Sequence, residues 1–425
     1  MLKIFCYSFI TITFLQSCRA VKTLPRNYAA YQQRERPHVL AIFMDGTRDK
    51  PHSNIRRNSH VKNTQALASA DIRSLYIEGV GAGNRLVQAA KATTTNERIM
   101  RAYRFLSEHY QPGDSICMFG FSRGANQCRI LSSLIYTIGI IDMKKIRDKS
   151  IKQPLLLEVY KIYIDTIGAS GKRSKLVNFI KNWNNQHPGE ELAYDTSGSV
   201  LIELMALWDT VEAFEISDTL ETTTPILQHL NQLYNVKKLY HAVSLDDNRA
   251  FTYTPILATH KEVALHANQH LDNIVEEVWF NGCHKDVGGG VKKVERAKLN
   301  GISLKWMLSR VKPYHIFRDT TVQIITMGDA NDMRRTAFLR KLSPGDTLRG
   351  IDKYWGLMDA DWNKHRIKVH QSVIDRLAAG KLQEFKTRNG RLDWYDWEPF
   401  NQCFTKEGNK RIFRKDCSCI EVVND

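Results

Sequence analysis

The chain has 425 residues, 43% of them hydrophobic and 25% charged, a globular balance that excludes disorder on a large scale and suits one large domain with insertions or two smaller ones. Lys and Arg outnumber Asp and Glu by 61 to 45, a net charge of +16, which favours anionic partners such as phospholipid headgroups. The densest basic groups, Lys144, Lys145, Arg147, Lys149 and Lys172, Arg173, Lys175, carry no interleaved aromatics for stacking bases, so nucleic acid is not an expected partner.

Lys3 precedes an apolar stretch from Ile4 to Leu15, followed by Gln16-Ser17-Cys18. A positive start, a short apolar core and a small residue before the cut describe a secretory signal, too short to span a bilayer. Leu15 to Cys18 resembles a bacterial lipobox, so residues 1–18 are expected to be a signal with Cys18 as the acylated residue. Two or more acyl chains, at about 0.8 kcal/mol per buried methylene, anchor stably. A plain secretory peptide cut near Ala20 is the alternative. Residues 19–36 are polar and basic and read as a tether. The expected location is the bacterial cell envelope, lipid-anchored and facing the periplasm or cell surface, with secretion as second choice.

His38 to Met44 reads as a buried strand ending in the turn Asp45-Gly46-Thr47. A second strand, Leu75 to Glu78, runs into the loop Gly79 to Gly83, which has no Walker Lys and no full dinucleotide fingerprint. Ile99, Tyr103 and Leu106 share one face of a helix predicted from Glu97 to Tyr110. Ser115 to Phe121 is a third strand, and Ala125 to Ile140 reads as a helix. Residues 141–198 are more polar and read as an insertion that caps the site. Val200 to Trp208 and Ile274 to Phe280 are predicted strands. Leu230 to Leu245 and Ile302 to Val311 are predicted helices. The alternation implies an α/β fold: an α/β-hydrolase-like, mainly parallel sheet with helices on both faces and an inserted cap region, over residues 37–311. Residues 312–425 show no clear period and are expected to pack on this domain. Among the eight cysteines, Cys403, Cys417 and Cys419 lie close enough for one disulfide in an oxidising compartment. No metal-ligand spacing is present, and neither metal nor organic cofactor is called for.

Gly120-Phe121-Ser122-Arg123-Gly124 fits G-x-S-x-G and lies between a strand and a helix, where a nucleophile elbow needs it. The helix start points N–H groups at a developing oxyanion, Arg123 first. A serine needs a base, and the base needs an orienting acid. Asp209 and His284 follow their strands in the order that α/β-hydrolases use. The expected roles are Ser122 as nucleophile, His284 as base then acid, and Asp209 as the holder of its tautomer. Asp246 and Asp286 are rival acids, better suited to capping a helix or supporting a loop. Gly46 or Thr47 is the candidate second oxyanion donor, and Asp45 is expected to fix that turn by accepting its backbone N–H groups.

Phe43-Met44-Asp45-Gly46-Thr47, Gly79-Val80-Gly81, Gly113-Asp114, Gly120 to Ala125, Trp208-Asp209-Thr210-Val211, Trp279-Phe280 and His284 to Gly290 occur in this order. Together they resemble the α/β-hydrolase domain family that includes the type VI secretion phospholipase effectors of the first class, from about Val39 to Leu308. The resemblance implies a triad of Ser122, Asp209 and His284, and ester hydrolysis on phospholipid. The expected function is therefore a serine esterase or lipase of phospholipase A type, with phospholipid or another ester as substrate and the membrane as its partner through the anchor. The alternative is a non-catalytic envelope lipoprotein that keeps the hydrolase fold as a binding module.

Overall fold

Val39–Met44 reads VLAIFM, a run with no polar face, which a strand tolerates only when both sides are covered. In the computed structural model it is β1, the seventh of eight strands counted from the far edge of one sheet. The structure describes residues 38–47, 49–54, 57–79, 92–165, 167–195, 200–211, 233–247, 253–259, 274–290, 299, 301–318, 366–380, 385–386, 392–393 and 401–425. The expected signal, tether and Cys18 lie outside them. Among them, no helix is long and apolar enough to cross a membrane.

In chain order the main elements are β1, α1 (His60–Leu67), β2 (Arg73–Ile77), α2 (Ala92–His109), β3 (Ser115–Phe121), α3 (Arg123–Ile138), β4 (Ile140–Asp142), α4 (Lys149–Ile164), α5 (Ala169–Gln186), β5 (Ala193–Asp195) and β6 (Ile202–Trp208). There follow β7 (Leu239–Ser244), β8 (Val275–Phe280), α6 (His284–Gly288), α7 (Ile302–Val311), β9 (Ile367–His370), α8 (Gln371–Ala378), the paired β10 (Phe385–Lys386) and β11 (Leu392–Asp393), the hairpin β12 (Phe404–Glu407) and β13 (Lys410–Phe413), and β14 (Ile420–Val423). The sheet runs β14-β9-β8-β7-β6-β3-β1-β2, and every pairing in it is parallel.

The pleat sorts each central strand into two cores. Leu40, Ile42, Met118, Met205 and Leu207 pack with Leu106, Leu131 and Leu134 on the side of α2 and α3. Ala41, Phe43, Phe119, Ala206 and Trp208 pack with Val61, Trp306 and Met307 on the side of α1 and α7. Both faces are covered, which is the expected α/β class.

Two sequence expectations change. Residues 230–245 were expected to be helical, but Leu239–Ser244 is a fully buried strand between β6 and β8. Its run LYHAVS has no alternation, and periodicity cannot separate a strand buried on both faces from a buried helix. The insertion at 141–198 makes its observed contacts away from a cap position. Arg173 donates to the carbonyls of Thr137 and Tyr136 at 2.8 and 2.9 Å, and Lys152 pairs with Glu108 at the end of α2. At about 1.5 Å per residue, α3 carries the chain roughly 20 Å from Ser122 before the insertion begins. A segment leaving that end of the helix packs on the flank of α2 and α3.

The tail contributes β9 and β14 to the far edge of the sheet. A disulfide joins Cys403 and Cys417, while Cys419 is a free thiol.

Consecutive strands lie on opposite sides of β1: the chain goes to β2 on one side and then to β3 on the other. The crevice at the carboxyl ends of β1 and β3 is thus a topological switch point, where open α/β sheets bind ligands.

Candidate active site

Ser122 leaves β3 with φ 58° and ψ −128°, a conformation that L residues hold only when their surroundings over-determine it. Its N–H continues the ladder to the Trp208 carbonyl at 3.0 Å, and its own carbonyl accepts the Ala125 and Asn126 N–H groups at the start of α3. Its side chain caps nothing, so the hydroxyl is left for other partners. The flanking glycines are required by close approach. A Cβ on Gly120 would lie 2.5 Å from the Ala125 Cα, and one on Gly124 would lie 2.2 Å from the Met44 carbonyl oxygen. The helix can fold back on β3 and β1 this tightly only without those side chains.

The Ser122 Oγ lies 2.8 Å from His284 Nε2, and His284 Nδ1 lies 2.5 Å from Asp209 Oδ2. All three residues are buried. A carboxylate facing Nδ1 puts the ring proton there and leaves the Nε2 lone pair for the serine O–H. The imidazole is held between two rings, with Phe121 at 4.6 Å and Tyr253 edge-on at 5.2 Å.

His284 begins α6, and the three N–H groups leading into it each find a carboxylate. Gly282 donates to Asp246 at 2.6 Å, Cys283 to Asp286 at 2.9 Å, and His284 itself to Asp247 at 2.9 Å. Asp246 and Asp286, the rival acids, hold this backbone and are not the acid at the imidazole. Asp209 follows β6 with φ 40°, and its second oxygen accepts the Ser244 N–H at 3.0 Å.

At the end of β1, Asp45 accepts from the Gly46 N–H at 2.7 Å, the Ser59 hydroxyl at 2.7 Å and the Tyr76 hydroxyl at 2.5 Å. Burial pushes its carboxyl above the usual range, against these hydrogen bonds and the Lys285 charge. The Gly46 N–H, one of the expected oxyanion donors, is therefore taken by Asp45. An Asp at the start of a tight turn captures the next N–H locally, which narrows the candidates on this loop to Thr47. The Thr47 hydroxyl accepts from Arg123 Nε, joining the loop after β1 to the start of α3. Lys285 pairs with both oxygens of Asp49, at 2.7 and 2.5 Å, and sits 4.9 Å from the centre of the Phe121 ring.

A second buried polar group lies one strand inward, and the sequence reading missed it. His241 Nδ1 is 2.7 Å from Glu277 Oε2, and His241 Nε2 accepts the Thr210 N–H at 3.1 Å. Burial raises the Glu277 carboxyl, but hydrogen bonds from His241, Thr259 and the Ala258 N–H outweigh it and leave it below the usual range. Burial also lowers the Arg129 guanidinium to about 10, offset in part by Glu277. The available signal was a His and a Glu at inward positions of two strands that are otherwise apolar on that face. His60 is also fully buried, with no hydrogen-bond partner for either ring nitrogen among the described residues, and burial, followed by the Lys285 charge, lowers it to about 3. Among the described residues, no group of His, Cys, Asp and Glu could hold a metal ion.

A curated Saccharomyces cerevisiae protein, the uncharacterized protein YEL023C, is 26% identical over 176 residues, which are 39% of this chain and 22% of that protein. The chain thus spans about a fifth of that relative's length. An uncharacterized protein from Pseudomonas aeruginosa of known crystal structure aligns at 14% identity and a TM-score of 0.34, over 68% of this chain and 46% of the other. TT1662 from Thermus thermophilus aligns at 9% identity and a TM-score of 0.30, over 67% of this chain and 92% of the other. The family model described as "T6SS, Phospholipase effector Tle1-like, catalytic domain" matches residues 38–310, the span from β1 to α7 that holds the whole site. The chain belongs to this family.

Proposed function

We propose that the chain is a serine esterase of phospholipase A type, which cleaves carboxylic esters through an acyl-enzyme on Ser122. One observation carries the reading: the Ser122 hydroxyl, the His284 imidazole and the Asp209 carboxylate form one hydrogen-bonded line, 2.8 Å and then 2.5 Å, at the carboxyl edge of the sheet.

In this mechanism the Ser122 Oγ attacks the ester carbonyl while His284 Nε2 takes its proton. Asp209 holds the Nδ1–H and stabilises the imidazolium that forms. The carbonyl oxygen becomes an oxyanion, for which the Arg123 N–H at the start of α3 and the Thr47 N–H are the donors. His284 then gives its proton to the departing lysolipid alcohol. Water, deprotonated by the same nitrogen, releases the fatty acid and restores Ser122. The positive net charge favours an anionic lipid surface. An anchor on Cys18 belongs to the same proposal, since acylation there holds the enzyme at the envelope, on the surface it hydrolyses. Incorporation of labelled palmitate by the native chain, lost in Cys18→Ala, is the expected result; no incorporation removes the anchor and leaves the chemistry standing.

The direct test is release of fatty acid and lysolipid from phosphatidylethanolamine and phosphatidylglycerol vesicles, identified by mass spectrometry. Ser122→Ala should lower turnover by roughly 10⁶-fold with the fold intact. Equal activity in that variant would remove the assignment. Hydrolysis of short p-nitrophenyl esters alone would keep the serine chemistry and exclude phospholipid.

A further inference from the structure

The turn that carries Asp209 presents three successive N–H groups, and each has an acceptor. Asp209 donates to the Ala242 carbonyl at 2.7 Å, Thr210 to His241 Nε2 at 3.1 Å, and Val211 to the Ser122 carbonyl at 3.4 Å. Only the middle acceptor is a side chain, and it is an imidazole at 0% exposure. Because Nε2 accepts, the ring proton must sit on Nδ1. Glu277 Oε2 lies 2.7 Å from that nitrogen, on the residue directly opposite His241 in the sheet register.

Glu277 does more than choose the tautomer. It also accepts the Ala258 N–H at 2.6 Å, the Thr259 N–H at 3.3 Å and the Thr259 hydroxyl at 2.5 Å. Arg129, on the helix that begins next to Ser122, donates to the Ile256 carbonyl at 2.8 Å, and the Ile256 N–H returns to the Thr210 carbonyl at 2.8 Å. The network therefore closes on the acid turn from both sides. The segment it clamps also carries Tyr253, whose ring meets His284 edge-on.

We propose that His241 is a positioning residue of the reaction: locked by Glu277 with its proton on Nδ1, it accepts the Thr210 N–H and so keeps the Asp209 carboxylate aligned on His284. The inference rests on the reading of Ser122, His284 and Asp209 as a triad. Asp209 sits at φ 40°, where an L residue stays only under constraint. Without an acceptor at Nε2, a buried N–H is orphaned and the turn relaxes toward ordinary backbone angles. That relaxation moves the carboxylate off the imidazole, and a displacement of about 1 Å in such a site costs about 100-fold in rate.

The two amide substitutions separate positioning from packing. In His241→Asn the amide nitrogen takes the place of Nδ1 and keeps the bond to Glu277, but nothing accepts from Thr210. In His241→Gln the amide oxygen takes the place of Nε2 and accepts from Thr210, but Glu277 loses its ring donor. A buried carboxylate short of a donor costs more stability than an orphaned amide, so His241→Gln should melt at the lower temperature. Turnover should run the other way on a short soluble ester, with kcat down by about 30- to 100-fold in His241→Asn, nearer to native in His241→Gln, and KM within about twofold in both. A kcat that follows Tm, or that stays native in both variants, overturns the proposal. Ser122→Ala is assayed beside them. If it remains active the triad reading itself fails, whereas if it is dead and kcat follows Tm only the role of His241 fails. Should neither variant fold, ¹⁵N spectra of the histidine-labelled native chain decide. His241 is expected as the Nδ1–H form at neutral pH, and an Nε2–H or doubly protonated ring overturns the proposal.

Discussion

Two buried imidazole–carboxylate pairs lie a few residues apart in this sheet, and they differ in what the second nitrogen faces. His284 meets Asp209 at 2.5 Å and turns Nε2 to a serine hydroxyl, whereas His241 meets Glu277 at 2.7 Å and turns Nε2 to a backbone N–H. Position along the strand decides between them. His284 lies beyond the end of β8, at the carboxyl edge, whereas His241 is the third residue inside β7 and is fully buried within the sheet. Burial and a carboxylate partner are common to both, so neither marks a catalytic histidine. His60 extends the series, being as deeply buried with no hydrogen-bond partner for its ring among the described residues.

The largest expected effect breaks the first pair. Asp209→Asn keeps the shape of the acid but presents an amide to the imidazole, which favours the wrong tautomer and should lower kcat by about 10⁴-fold. The melting temperature should change little, because the Asn oxygen can still accept the Ser244 N–H. A variant within tenfold of native turnover would show that the acid at this imidazole is not what orients it.

Glu277→Gln should instead show first in stability. Each Glu277 oxygen already receives donors, so the new NH₂ must point at one of them. Facing a buried donor with another donor costs about 1–3 kcal/mol for each group left unsatisfied. The sign with pH follows from the direction of the shift. The folded carboxyl lies below its unfolded value of 4.5, so its contribution is present above that pH and is lost as pH falls through the lower folded value. Urea unfolding below pH 4.5 should therefore fall more steeply for the native chain than for Glu277→Gln. Parallel curves would mean that Glu277 is not held ionised.

The first pair was legible in the sequence and the second was not, for a physical reason. Ser122, Asp209 and His284 each follow an apolar run and precede a turn, and the local chain makes that visible: the glycines around Ser122, Thr210 after Asp209, the glycine run after His284. What marks His241 is its place on an otherwise apolar strand face, which is visible only once the strand is known. In Leu239–Ser244 it is one polar residue in a run without alternation, and the same ambiguity made that strand look helical. Glu277 follows Glu276, and two adjacent acids read as one outward and one inward only once β7 and β9 are known to flank the strand. The last two strands at the far side of the sheet, β9 and β14, were hidden for a related reason. Each has four residues, and they pair with each other across about 50 residues of chain, so no short window contains the partner that makes either a strand. The insertion read as a cap because polarity alone cannot tell one edge of a sheet from the other; the length of α3 settles which edge it leaves from.

His60 gives the smallest effect and sharpens the comparison most directly, because it tests burial without a partner. Folded, the ring is held neutral with its pKa lowered to about 3, while unfolded it titrates at 6.5. Between those values the unfolded chain binds more protons, so stability falls as pH drops through 6.5 and stops falling below the folded value. At about 1.4 kcal/mol per pH unit, the loss between pH 7 and pH 5 is about 2 kcal/mol. His60→Phe cannot take up that proton in either state and gives up no hydrogen bond to any of the described residues. The two proteins should therefore draw apart by about 2 kcal/mol in favour of the variant as pH goes from 7 to 5, whatever the offset between them at pH 7. The readout is this change in the difference, which a packing defect from the larger ring does not produce. A difference that stays constant across that range would mean that His60 gains a partner for its proton in the folded protein, and would move it from the unpaired end of the series to the paired one.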